Sequence, residues 1–121
     1  KYYVVDMAFK QLLLPDINRD RGHVLENVVY LELRRRGYTV YVGQLTKGEI
    51  DFVAQKPGGI LEYYQVSESV LDPTTRDREL APLEAVKDQY PKFLLTMDEL
   101  YKPHNYNGIQ QCNVLDWLLG M

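Results

Sequence analysis

Residues 22–67 read GHVLENVVYLELRRRGYTVYVGQLTKGEIDFVAQKPGGILEYYQVS, and their patterning predicts one amphipathic helix followed by three short strands. At 100° per residue, Val24, Leu25, Val28, Val29, Leu31 and Leu33 form one wide apolar arc, which predicts a helix over residues 22–36. Gly37 is a C-terminal stop, and Arg34, Arg35 and Arg36 suit the negative end of the helix dipole. Residues 38–42 are aromatic and β-branched, as a strand requires. Residues 49–54 alternate, with Glu49, Asp51 and Val53 on one face and Ile50, Phe52 and Ala54 on the other. Residues 43–48 between them make a connection of hairpin length. Lys56-Pro57-Gly58-Gly59 is a turn signal, and residues 60–67 form the third strand. There Tyr63, Gln65 and Ser67 share one face, and Tyr64, Val66 and Glu68 the other.

On the N-terminal side, residues 2–5 are β-formers, and residues 8–14 make a short helix stopped by Pro15. On the C-terminal side, Thr74 or Thr75 caps a helix over residues 76–90, with Pro82 marking a kink or break and Pro91 the end. Residues 92–97 and 108–114 read as the fourth and fifth strands, and residues 115–119 as a last helix. Short connections make the first three strands antiparallel. The helical crossover before the fourth makes a parallel pair. The expected architecture is α/β, a mixed sheet flanked by helices.

At 121 residues the chain is long enough for one domain with a modest core. No apolar run approaches the roughly 18 residues that span a bilayer. With two histidines and one cysteine, Cys112, a zinc finger or ribbon is excluded, as is an internal disulfide. The lone thiol fits a reducing compartment, so a cytoplasmic protein is expected. A net charge of −3 argues against strong non-specific nucleic-acid binding by this chain alone. Because the chain begins at Lys1 directly before a strand pattern, it is expected to be one piece of a longer protein, with residues 1–21 as a lead-in and 22–121 as the core.

Three polar positions carry the candidate chemistry. Glu26 lies at the edge of the helical arc, Asp51 sits mid-strand with Glu49 on the same face, and Gln65 sits on the next strand. If those strands are neighbours and the helix packs on that face, Glu26, Asp51 and Gln65 meet. Two carboxylates and an amide oxygen suit magnesium or manganese. A metal so held polarises a phosphodiester and lowers the pKa of bound water, which is nuclease chemistry. The remaining features have plainer readings: Glu32 as a paired acid, the arginine run as a solvated helix end or a DNA contact, His23 and His104 as surface residues, Trp117 as packing, and Tyr63 as packing or a base-stacking ring.

The runs Gly22-His23-Val24-Leu25-Glu26-Asn27, Arg36-Gly37-Tyr38, Glu49-Ile50-Asp51-Phe52 and Tyr64-Gln65-Val66-Ser67 resemble the PD-(D/E)xK nuclease superfamily. Archaeal-type Holliday junction resolvases share this rhythm. More narrowly, nearly the whole chain resembles a C-terminal domain of unknown function on predicted AAA+-type ATPases. Tyr2-Tyr3-Val4-Val5-Asp6, Glu32-Leu33, Lys87-Asp88 and Lys92-Phe93-Leu94-Leu95-Thr96 add to that likeness. The resemblance implies a restriction-endonuclease-like fold, catalytic and metal-binding roles for Glu26, Asp51 and Gln65, and an N-terminal ATPase domain as partner in the same protein. It implies DNA or RNA as substrate. The family's lysine, which orients the attacking water, is replaced by Ser67, so the resemblance implies a degenerate site. Lys47 on the preceding hairpin and Lys87 on the following helix are the candidates to substitute for it.

Overall fold

The computed structural model describes residues 21–45, 48–100 and 104–120. The expected strand at residues 2–5 and helix at 8–14 lie outside them, as does Lys47. The described elements begin with α1 (Arg21–Arg35), β1 (Thr39–Leu45), β2 (Gly48–Gln55) and β3 (Leu61–Val66). They continue with α2 (Pro73–Ala85), β4 (Lys92–Thr96), β5 (His104–Tyr106), β6 (Ile109–Asn113) and α3 (Val114–Leu118).

Helix α1 closes as its sequence requires. Gly37 takes a φ of +89°, Tyr38 N–H donates to Leu33 C=O, and Gly37 N–H donates to Arg34 C=O. That pairing satisfies carbonyls that the last turn leaves open, and it needs a residue tolerant of positive φ. The buried stripe of the helix is Asn27, Val29, Tyr30 and Leu33, with Leu25 packed beside it. Leu31, assigned to the arc from sequence, is 45% exposed, and Tyr30 takes its place.

The six strands form one mixed sheet in the order β1-β2-β3-β4-β6-β5. β1, β2 and β3 are antiparallel neighbours, and β4 lies parallel to β3. β6 continues parallel to β4, and the three-residue β5 closes that edge antiparallel to β6. β5 was not expected from sequence. It is joined to β6 through Asn107 and Gly108, both at positive φ, the hairpin conformation that an Asn-Gly pair favours.

Two apolar layers sandwich the sheet. On one face Val29, Tyr30 and Leu33 of α1 and Trp117 of α3 pack against Phe52, Ala54, Tyr64, Val66 and Leu95. On the other, Leu80 and Leu83 of α2 pack against Ile50, Tyr63, Leu94 and Ile109. Helix α2 starts earlier and stops sooner than its sequence suggested. Asp72 is the cap, accepting from Thr75 N–H, and Pro73 occupies the first turn, where its missing N–H costs nothing. Pro82 stays inside the helix because the bond it deletes falls on the exposed Arg78, one turn from the end. Beyond Ala85, Val86 is extended, and the segment before β4 is held by Asp88. That side chain accepts from Tyr63 Oη, Tyr90 N–H and Lys92 Nζ. No helix among the described residues is long and apolar enough to cross a membrane.

Candidate acidic site at the gap between β2 and β3

The site begins with a break in strand regularity. Between Tyr41 and Gly43 the register shifts: β1 advances two residues while β2 runs three, from Val53 back to Ile50. One extra residue in β2 is a β-bulge, and it overturns the regular alternation expected for residues 49–54. Ile50 and Val53 both pack with the α2 layer, whereas Phe52 and Ala54 pack with the α1 layer. Gly43 faces the bulge, where a Cβ would meet Val53 Cγ2 at 2.9 Å and Ile50 Cβ at 3.2 Å.

The bulge also ends the ladder between β2 and β3, whose pairing runs from Gln55↔Leu61 to Phe52↔Tyr64 and no further. At the next step side chains take over. Asp51 N–H donates to Gln65 Oε1 at 2.6 Å, and Val66 N–H donates to Asp51 Oδ2 at 2.9 Å. Gln65 Nε2 donates in turn to the Glu79 carbonyl of α2 at 3.3 Å. Gln65 is only 3% exposed, so its amide is locked in this arrangement.

Carboxyl groups crowd around the gap. Burial pushes the Asp51 carboxyl up to about 8, with the Glu26 charge adding to the rise and the Val66 N–H opposing it; Glu79 and Glu49 add further. Burial also raises Glu26, against the pull of His23, and Glu79 and Glu49 reinforce the rise. Glu79 is raised by its own burial, against Arg78. The structure thus brings Asp51 and Gln65 into direct contact and sets Glu26 within electrostatic reach of Asp51. It also adds a residue that the sequence reading missed. Glu79 lies one turn before the fully buried Leu83, on the inward stripe of α2, and a carboxylate on such a stripe is the signal that marks it.

Other sequence-based candidates resolve differently. Ser67, at the position where the resemblance implies a lysine, turns its hydroxyl to donate to the Ser69 carbonyl at 3.1 Å. Lys87 is exposed beyond the end of α2. It lines a cavity of about 460 Å³ with Asp88, Tyr90, Lys92 and Ile109, at the start of β4 rather than at its Ser67 end. It therefore does not stand in for the lysine that the resemblance implies. Tyr63 is buried and bonded to Asp88, which removes it as a base-stacking ring. Glu32 is a paired acid as expected: hydrogen bonds from Arg35, and then from Arg36, pull its carboxyl down to about 2. Within the arginine run, Arg36 is not a solvated end. It donates to the Trp117 carbonyl at 2.7 Å and lies 4.4 Å above the indole. His23 and His104 are exposed.

The donors suit magnesium or manganese in kind, being carboxylates and an amide oxygen. Their placement does not. Gln65 lies on the α2 face, where its amide bonds Glu79, whereas Glu26 belongs to the helix covering the other face. This overturns the expectation that α1 packs on the face carrying Gln65. Asp51 Oδ2 and Gln65 Oε1 both already accept backbone N–H groups. Among the described residues, no three Asp, Glu, His or Cys side chains are grouped so as to hold an ion. As arranged, the residues do not fit a divalent ion.

No family model matches the chain, and no solved structure does. It is 39% identical over 119 residues, 98% of its length, to an uncharacterized protein of Haemophilus influenzae, of which it spans 28%. It is 34% identical over 93 residues, 73% of its length, to an uncharacterized protein of Methanocaldococcus jannaschii, of which it spans 20%.

Proposed function

We propose that the chain is a restriction-endonuclease-like module that does not cut. In this reading it serves a longer cytoplasmic protein as a regulatory or nucleic-acid-associated unit beside an N-terminal ATPase domain. The observation that carries this reading is Ser67. Its hydroxyl is spent on the Ser69 carbonyl, and among the described residues the charges that oppose the rise of Glu26 and Glu79 come from His23 and Arg78. Without an ammonium nothing at that position orients the attacking water or offsets the charge that develops on the phosphoryl oxygens. Removing one such stabiliser costs about 100- to 1,000-fold in rate. The small share of the relatives that the chain spans leaves room in them for further domains, in keeping with a module of a longer protein.

The alternative is an active divalent-metal-dependent nuclease using Glu26, Asp51 and Gln65. It draws on the direct Asp51–Gln65 contact and the influence of Glu26 on Asp51. The two readings separate in a cleavage assay. Single-stranded, duplex and branched DNA and RNA are incubated with the chain in magnesium or manganese. The non-cutting reading expects no product above a no-protein control. Product made by the wild type and lost in Asp51→Ala supports the alternative and removes the first reading.

A further inference from the structure

The bulge leaves two backbone N–H groups, those of Asp51 and Val66, at a step where the β2–β3 ladder has ended. Each receives a side-chain acceptor from the opposite strand: Gln65 Oε1 serves Asp51, and Asp51 Oδ2 serves Val66. The exchange is reciprocal, as in a ladder rung, but it runs through side chains. The second group of the Gln65 amide extends it to the Glu79 carbonyl, joining α2 to the same point. Buried N–H groups in folded proteins find acceptors, and one left without a partner is strongly unfavourable.

From this geometry we infer that Asp51 and Gln65 form a structural clasp that joins β2, β3 and α2 where the ladder is interrupted. The inference deepens the non-cutting reading, on which it rests: two residues that the family pattern gives to a metal are here spent on holding the sheet closed. The clasp needs an acceptor at position 51, not a charge. Asparagine can supply it through Oδ1, and alanine cannot. At position 65 it needs an acceptor and a donor together. Glutamate keeps only the first and adds an acid to a crowded pocket, while methionine has neither.

Thermal unfolding of the chain at pH 7, with and without manganese chloride, tests this. Asp51→Ala and Gln65→Met are expected to lower the midpoint by roughly 5–15 °C, as the loss of buried hydrogen bonds in a domain of this size predicts. Asp51→Asn is expected at or above the wild-type midpoint, and Gln65→Glu below it. Manganese is expected to leave the wild type unchanged. The clasp is overturned if Asp51→Ala melts with the wild type, or if Asp51→Asn is as unstable as Asp51→Ala. Should Asp51→Ala fail to fold, the order of Asp51→Asn, wild type and Gln65→Glu decides by itself. A manganese-dependent rise in the wild type that Asp51→Asn lacks overturns the claim that the pair is spent on the sheet and not on a metal; the cleavage assay judges the non-cutting reading separately, and the manganese-free midpoints still judge the clasp.

Discussion

Replacing Trp117 with alanine lowers the unfolding free energy by about 3–5 kcal/mol, the usual cost of removing a large buried aromatic side chain. The expectation comes from what the indole holds in place. Helix α3 spans five residues, Val114–Leu118, too few to be stable alone. Its start is capped by Asn113, which accepts from Leu115 and Asp116 N–H. Its seat on the sheet is Trp117, 7% exposed, with its ring 5.7 Å from that of Tyr64. The same residue anchors Arg36 through its carbonyl and its ring face, and Arg36 shares Glu32 with Arg35. Losing the indole therefore unseats α3 and loosens the end of α1. Trp117→Phe keeps a ring against Tyr64 and is expected to cost less than half as much. Urea unfolding of both variants measures this; a loss below about 1 kcal/mol for the alanine variant would show that α3 is not part of the core.

The stability of the chain falls as pH rises from 5 to 8, and Asp51→Asn removes most of that fall. An unfolded aspartate ionises near 3.8, and in the fold the Asp51 carboxyl is pushed up to about 8. The folded state therefore holds a proton that the unfolded state has released. A group raised in this way stabilises fully below its unfolded pKa, and that contribution is lost as pH climbs through the folded value. The window from pH 5 to 8 bounds the loss at roughly 4 kcal/mol for complete retention of one proton. Glu26 and Glu79, also raised, add slopes of the same sign. Glu32, held at about 2, works the other way but is ionised throughout this range, so it adds no slope there. Urea midpoints at pH 5, 6, 7 and 8 give the profile. A flat wild-type profile, or an equal fall in Asp51→Asn, would mean that Asp51 ionises normally in the fold.

Much of this architecture can be read from the chain. The period of α1, its stop at Gly37 and the crossover that makes β4 parallel to β3 each follow from local pattern, and each is present. The bulge cannot be read that way. Residues 49–54 alternate so regularly that nothing local betrays an extra residue. The parity change exists only in the pairing with β1, where Gly43 lies against Ile50 and Val53. That one glycine was the visible trace. The consequence for the site is large, because a regular β2 would have placed Ile50 with Phe52 rather than with the α2 layer. Glu79 was hidden for a different reason. It acts on Asp51 and Glu26 from a distant segment, through proximity that exists only once α2 has docked. β5 was missed despite its Asn107-Gly108 turn, since His104–Tyr106 is too short and polar to show a strand pattern. Ser67 drew notice only through the family resemblance, and only the fold shows its hydroxyl committed to Ser69.

The most direct test of the account is calorimetric titration of manganese into the wild-type chain and into Asp51→Asn at pH 7. The account predicts no heat that depends on Asp51, because Asp51 Oδ2 and Gln65 Oε1 are engaged by backbone N–H groups and no three Asp, Glu, His or Cys side chains among the described residues are grouped to hold an ion. Saturable binding in the wild type that disappears in Asp51→Asn would contradict it and make the acidic gap a working metal site.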